Sequence, residues 1–261
     1  MIATTDFRKA EQYTLSIRLT ADGFCFSLYN PTEEKEKMYS YLYVEAEEDF
    51  SLCANLKKVW RQNEWLSYHF GQVRVVVESI RHTLVPLSLF EDEQSEGLFH
   101  QCFTPADNEL ILYDILTKNN AVMLYGMDES AYNFLKDKYP TAIFRSKAGV
   151  LIDVFEAKNR ENINRKLFVD FGTNMLTTYN FEDMKLQLCN SQAVNQVNDA
   201  VYYLLLCWKS LSLNQESDEL YLSGAQEKQE ELLSLLRRYI SKVSVISDSM
   251  YLDLQSVTSC G

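Results

Sequence analysis

Few residues in this 261-residue chain could do chemistry, and their spacing narrows what that chemistry would be. The run Val169-Asp170-Phe171-Gly172-Thr173 places a carboxylate two residues before a small-residue turn. Asp170 could accept a water or a magnesium ion there, with the amides of Gly172 and Thr173 facing a phosphate. The same residues also suit a tight hairpin that Asp170 caps through a side-chain hydrogen bond. Ser223 and Gly224 could admit an adenine ring against bare backbone, or simply turn a strand into a helix. Arg18, between Ile17 and Leu19, reads either as a bidentate phosphate ligand or as a solvent-facing strand residue.

Other groupings offer less. His69, His82 and His100 are spaced too far apart for a local metal site. The six cysteines include no CxxC pair, which fits reduced thiols in a cytoplasmic protein, and Cys25, Cys53 and Cys207 fall on apolar faces. No Ser-His-Asp or Cys-His arrangement assembles from local motifs. Tyr39, Tyr41 and Tyr43 alternate along one face of a strand expected near a sheet edge. Such a stripe is either a partner-binding surface or the half-covered face of a sheet under a helix.

The elements that must position these residues follow from periodicity. Leu15, Ile17 and Leu19, then Phe24, Phe26 and Leu28, alternate about an Ala21-Asp22-Gly23 turn and predict a hairpin. A solvated turn at Glu33 to Lys37, a strand at Met38 to Val44, a helix at Phe50 to Trp60 and a strand at Val73 to Val77 come next. The middle of the chain gives an extended Thr83 to Phe90, strands at Leu110 to Leu116 and Ala121 to Tyr125, and a helix at Ser130 to Tyr139 stopped by Pro140. A longer helix spans Lys147 to Asn159, with Ser146 as its N-cap.

The opening pattern then returns. Strands at Leu167 to Thr173, Met175 to Phe181 and Lys185 to Cys189 precede a helix at Gln192 to Leu211. A strand at Leu220 to Leu222, a helix at Glu227 to Ile240 and a strand at Val243 to Ile246 complete the series. The order strand-strand-strand-helix-strand therefore occurs twice, over about 13–80 and about 166–246.

This duplication resembles the actin-like ATPase (ribonuclease H-like) fold of actin, the heat-shock chaperones and the sugar kinases. The chain is closer in size to the cytoplasmic actin-like proteins of type IV pilus and type II secretion platforms. It also looks like an uncharacterised bacterial family of small actin-fold proteins. Three segments carry the likeness: Val169-Asp170-Phe171-Gly172-Thr173 resembles the second phosphate loop, Leu222-Ser223-Gly224-Ala225 the adenosine-side turn, and Thr83-Leu84-Val85-Pro86 an extended segment of the secretion-platform proteins. The resemblance implies an α/β protein of two duplicated lobes, about 1–157 and 158–261, linked by the helix near 147–159. It also implies a nucleotide site drawing on Arg18, Asp170, Gly172, Thr173, Ser223 and Gly224.

Departures from the pattern set the functional expectation. Laying one repeat on the other puts Arg18 opposite Asp170 and Thr20 opposite Gly172, so the first hairpin lacks both its acid and its glycine. At the adenosine turn Ala225 and Gln226 follow a single glycine. Phosphoryl transfer works by charge positioned around metal and phosphates, and half of that cradle is missing. The expectation is a non-catalytic interaction or assembly module with a protein partner and no required cofactor. The alternative is an ATP- and magnesium-binding ATPase that uses the second-lobe loop. A ribonuclease H-type hydrolase would need converging carboxylates, and the first strand offers none.

Composition removes further classes. With 37 acidic against 25 basic residues the net charge is −12, the wrong sign for holding a nucleic-acid backbone. The longest apolar runs, such as Val201 to Trp208, are far below the ~20 residues of a membrane span. The opening MIATTDFRKAEQ carries no apolar core of a signal peptide, so no membrane insertion is expected.

Overall fold

The computed structural model describes residues 7–33, 39–182, 185–224, 229–246 and 249–259. Its first five-stranded sheet is built from β1 (Thr14–Leu19), β2 (Gly23–Tyr29), β3 (Tyr39–Glu45), β4 (Gln72–Val77) and, far along the chain, β8 (Ile143–Ser146). Helix α1 (Leu52–Gln62) lies between β3 and β4, held at its start by Ser51, whose hydroxyl accepts the amide of Ala54. Between β4 and β8 the chain inserts a second layer. This holds β5 (His82–Pro86), α2 (Ser95–His100), β6 (Glu109–Leu116), β7 (Ala121–Asp128) and α3 (Glu129–Lys138). The inserted strands form their own antiparallel sheet in the order β5-β7-β6.

After β8 the chain enters α4 (Lys147–Asn159) and then a second five-stranded sheet. It uses β9 (Lys166–Gly172), β10 (Met175–Glu182), β11 (Lys185–Ala193), β12 (Glu219–Gly224) and β13 (Lys242–Val245), with α5 (Val197–Ser210), α6 (Gln229–Leu236) and a final α7 (Leu252–Ser259). The two sheets have the same order, β3-β2-β1-β4-β8 and β11-β10-β9-β12-β13. In both, the first two pairings are antiparallel and the last two parallel. The duplicated two-lobe α/β architecture is therefore present in full.

Most expected elements lie within a few residues of their observed bounds, and the differences have physical causes. Strand β11 continues to Ala193, so α5 starts at Val197 instead of Gln192. There Gln196 and Asp199 satisfy each other's backbone amides in a reciprocal cap. Short β8 and α2 carry too little periodicity to be read from sequence, and α7 has only two turns. Residues 34–38, 225–228 and 247–248 fall outside the described residues. With them go most of the expected turn at 33–37, the Met38 start of β3, Ala225 and Gln226, and the first residues of the expected helix at 227–240.

Each lobe closes with a helix that reaches across to the other. Helix α4 leaves β8 of the first sheet and packs on β10 and β11 of the second. Helix α7, from the second half of the chain, packs on β1 and β4 of the first and against α4. Aromatic rings fill the α4 side: Phe155 stacks on Phe168 at 5.0 Å between centroids, and Tyr221 stacks on Phe168 at 5.4 Å. Phe168 is 0% exposed. Truncating it to alanine is expected to cost about 3–5 kcal/mol of unfolding free energy in a urea titration, because its ring neighbours Phe155, Phe181 and Tyr221 sit on a helix and two strands whose fixed backbone cannot collapse onto the space. A loss under about 1 kcal/mol would show this interior to be loosely packed.

A second bridge between the halves is polar. His82 of β5 shares a hydrogen bond with the Ser191 hydroxyl of β11 at 2.7 Å, and Ser191 with Thr177 of β10 at 2.7 Å. Burial lowers the His82 imidazole to about 4 from its ordinary 6.5. The unfolded chain therefore binds a proton that the folded chain refuses, and stability present above about pH 6.5 is lost as pH falls toward 4. The difference in unfolding free energy between wild type and His82→Gln should shrink across that window by up to about 3 kcal/mol. A pH-independent difference would rule out the buried neutral imidazole.

Candidate functional site

Strands β1, β4, β9 and β12 run parallel within their sheets and end at the crevice between the lobes, the place where open α/β sheets commonly hold ligands. Each of the first hairpins presents a turn there. Asp170 and Gly172 end β9, Thr173 and Asn174 make the tip, and Asn174 takes a left-handed φ of 52°. Across from it, the Thr20 hydroxyl donates to Asp22 at 2.6 Å, and the Thr173 hydroxyl donates to the same Asp22 oxygen at 2.7 Å. The two hairpin tips are thus tied to each other. Burial opposes the charge on Asp22, but these hydroxyl hydrogen bonds hold its carboxyl below the usual range.

Beneath the tips lies a largely buried charge cluster. The ammonium of Lys147, first residue of α4, sits 2.7 Å from Glu78 and 2.8 Å from Asp170. Burial works against that charge, yet Asp170 and Glu78 together hold Lys147 well above the ordinary lysine range. Burial pushes the Asp170 carboxyl up, against the pull of Lys147. Its other oxygen accepts the hydroxyl of Ser223 at 2.9 Å. Glu78 follows β4, and its second oxygen accepts the amide of Thr173 at 3.1 Å. Behind Glu78, Lys147, Asp170 and Gly172, on the Tyr179 side, lies a pocket of about 10 Å3, room for one water at most.

Gly172 is small for a reason that the cluster supplies. A methyl group there would lie 2.5 Å from the Glu78 carboxylate, so glycine at this turn makes room for a side chain of the opposite lobe. Gly224 holds a left-handed φ of 83° and lies directly against the backbone of Phe171, where a side chain has no space. The Gly224 amide donates to the Ser249 hydroxyl at 3.2 Å, which belongs to the segment leading into α7.

Arg18 is on the other side of the crevice. Its guanidinium donates to Asp253 of α7 at 2.9 Å and to the Met250 carbonyl at 2.8 Å, and its side chain is 12% exposed. The expectation of a solvent-facing strand residue is therefore corrected: α7 covers that face of β1. Burial opposes the charge, but Asp253 together with Cys25, Glu78 and Asp170 outweighs it, so Arg18 stays above its ordinary range. The tyrosine stripe resolves the same way. Tyr41 stacks on Tyr251 at 3.9 Å and accepts from Gln255 at 2.8 Å, while Tyr39 shares a hydrogen bond with Thr258 at 2.9 Å. Two of the three rings lie under α7, and Tyr43 faces the crevice.

Of the six residues expected at the site, Arg18, Gly172, Thr173 and Gly224 line this crevice, while Asp170 and Ser223 are buried beneath it. A cleft of about 620 Å3 remains beside the cluster, lined by Arg18, Glu78 and Lys147 and by Tyr43, Thr173 and Gly224 among others. Sequence reasoning missed Glu78, Lys147 and Asp253. Lys147 did carry a signal: a cation at the first position of a helix opposes the helix dipole and calls for a nearby anion. Glu78 carried a weaker one, as the carboxylate that follows five residues of a buried strand. Asp253 carried none.

Comparisons with known proteins place this arrangement. No curated protein matches the chain. A family model described as "Protein of unknown function (DUF3822)" matches residues 3–243. A crystal structure from Bacteroides thetaiotaomicron, of a protein with an actin-like ATPase fold and unknown function, is 39% identical, covers 99% of this chain and 100% of its own, and superposes with a TM-score of 0.92. The ethanolamine utilization protein EutJ from Carboxydothermus hydrogenoformans is 8% identical, with 95% of this chain and 90% of that one covered and a TM-score of 0.52. A chain of the PilM-PilN type IV pilus biogenesis complex is 12% identical, with 94% and 98% covered and a TM-score of 0.54. These last two share the fold alone. With a family model spanning most of its length and a full-length relative at this identity, the chain is a member of the DUF3822 family and has the actin-like ATPase fold.

Proposed function

We propose that this protein is a non-catalytic actin-fold module that acts by holding a protein partner, the base of its interlobe crevice braced by its own side chains. The observation that carries this reading is the position of Glu78. Its carboxylate accepts the Thr173 amide at 3.1 Å and fills the space beside Gly172, so an internal anion stands where that turn would present its amide to a phosphate. The residues present do not fit a magnesium-bound triphosphate. Two cations, Arg18 and Lys147, already face Glu78, Asp170 and Asp253, and each is paired within 2.9 Å. Added phosphates would meet carboxylates before any free cation. Asp170 already gives one oxygen to Lys147 and the other to Ser223, so a metal there would compete with both.

The fold is compatible with several roles, so the reading rests on the crevice and not on the architecture. Among the described residues no group of His, Cys, Asp and Glu is arranged to hold a metal ion, and no helix is long and apolar enough to cross a membrane. A cytoplasmic location and a protein partner belong to the proposal, and the pilus-complex neighbour adds a fold-level analogy for the latter. The second reading, ATP and magnesium bound through Gly172, Thr173, Ser223 and Gly224 with Arg18 opposite, is favoured by the cleft of about 620 Å3 that remains open beside the cluster.

Calorimetric titration separates the two. ATP with magnesium is expected to give no saturable heat at millimolar nucleotide; micromolar binding that Asp170→Ala abolishes would overturn the proposal. The role assigned to Glu78 has its own measurement. Glu78→Ala frees the Thr173 amide and leaves Lys147 with Asp170 as its one remaining carboxylate, so inorganic phosphate at tens of millimolar should raise the melting temperature of that variant and leave wild type unmoved, as mass action on a newly opened anion site requires. An equal response of the two proteins would mean that Glu78 does not occupy an anion position.

A further inference from the structure

The two ion pairs that join the closing helices to the lobes are related by the internal duplication, and their charges are reversed. Arg18 and Asp170 occupy the same place in their sheets. Each lies two residues before the hairpin turn, facing Cys25 and Thr177 respectively in the antiparallel partner, and each strand has a parallel neighbour on its other side. Each pairs with a residue in the first turn of a helix that comes from the other half of the chain. Arg18 meets Asp253 of α7 at 2.9 Å, and Asp170 meets Lys147 of α4 at 2.8 Å, Lys147 also holding Glu78 of its own half at 2.7 Å. Asp253 is 1% exposed, Asp170 5% and Lys147 8%, so neither contact is a surface accident.

We propose that this reversal is a sorting code that sends each closing helix to the opposite lobe and forbids the alternative. A duplicated chain has an assembly problem: two similar sheets offer similar faces to two helices lying side by side. Were α4 to dock on the first sheet, Lys147 would face Arg18; were α7 to dock on the second, Asp253 would face Asp170. Both arrangements bury like charges together, which costs far more than an imperfect apolar contact. Buried ion pairs add little to stability over apolar packing, but a choice between two otherwise similar arrangements is the use best attested for them. Lys147 fits this role in particular. A lysine at a helix N-terminus is electrostatically misplaced, and its position is explained by what it must attract and what it must repel. The code is separate from the proposed function, since it concerns how the lobes find each other and holds whether or not a nucleotide binds.

The test uses the full chain and keeps attraction while erasing discrimination. In Arg18→Asp with Asp253→Arg, both strands are acidic and both helices basic, so each native pair survives but each helix now suits either lobe. A second variant inverts the code: Arg18→Asp, Asp253→Arg, Lys147→Glu and Asp170→Lys, with Glu78→Gln to remove the carboxylate that would repel Glu at 147. Each protein is refolded from urea by rapid dilution and resolved by size-exclusion chromatography and near-ultraviolet circular dichroism. Wild type and the inverted variant are expected to return as one native species. The degenerate double variant is expected to return at least twofold less native protein, the remainder as misassembled monomer or oligomer. Equal native yields from wild type and the degenerate variant would overturn the proposal. So would an inverted variant that recovers no better than the degenerate one, including the case in which neither folds.

Discussion

The burial of one ammonium group between two carboxylates governs this structure. Lys147 cannot be desolvated alone, because an unpaired charge in the interior costs several kcal/mol even after relaxation. Its partners must therefore be held within hydrogen-bond range, and they come from separate parts of the chain: Glu78 at the end of β4 in the first lobe and Asp170 in β9 of the second. Satisfying the lysine fixes how the two sheets face each other. It also fixes the Gly172 turn, since Glu78 spends its remaining oxygen on the Thr173 amide and needs the space that glycine leaves. The hairpin tips, tied through Asp22, close over the cluster.

The same interactions underlie the proposal that this familiar architecture acts here without its usual nucleotide chemistry. A two-lobed crevice at the ends of parallel strands suits a ligand that bridges the lobes. In this chain the bridging is done by side chains. Lys147 and Asp170 span the lobes on one side, Arg18 and Asp253 on the other, and the His82–Ser191–Thr177 chain joins the inserted layer to the second sheet. A crevice held by covalently attached groups needs no ligand to set its geometry, and the entropy of assembling it was met on folding. The open space beside the cluster is lined by groups already committed to each other, which is a poor start for recognising a polyanion and a reasonable one for a rigid module.

The α7 helix shows how much depends on eight residues. It covers Tyr39 and Tyr41, neutralises Arg18, and brings Ser249 to the Gly224 amide. The tyrosine stripe, the strand arginine and the single glycine of the second turn, three features with separate readings in the sequence, share one explanation. Each is completed by the end of the chain folding back over the first sheet.

The sequence by itself determined the local order. Alternation in β1 and β2, the continuous apolar run of β9, the apolar stripe and Ser146 cap of α4, and the repeated succession of elements are all short-range patterns, written in neighbours whose side chains must share a face. The duplication was legible because it repeats such patterns in the same succession, and the convergence of Asp170, Gly172, Ser223 and Gly224 followed from strands that must lie side by side. The tertiary structure alone decided what those residues face. Glu78 and Asp170 are 92 positions apart and Arg18 and Asp253 are 235 apart. No periodicity links residues at such separations. Charge is indifferent to sequence distance: a buried cation selects its partner by a gap of under 3 Å, and only the packed chain sets that gap.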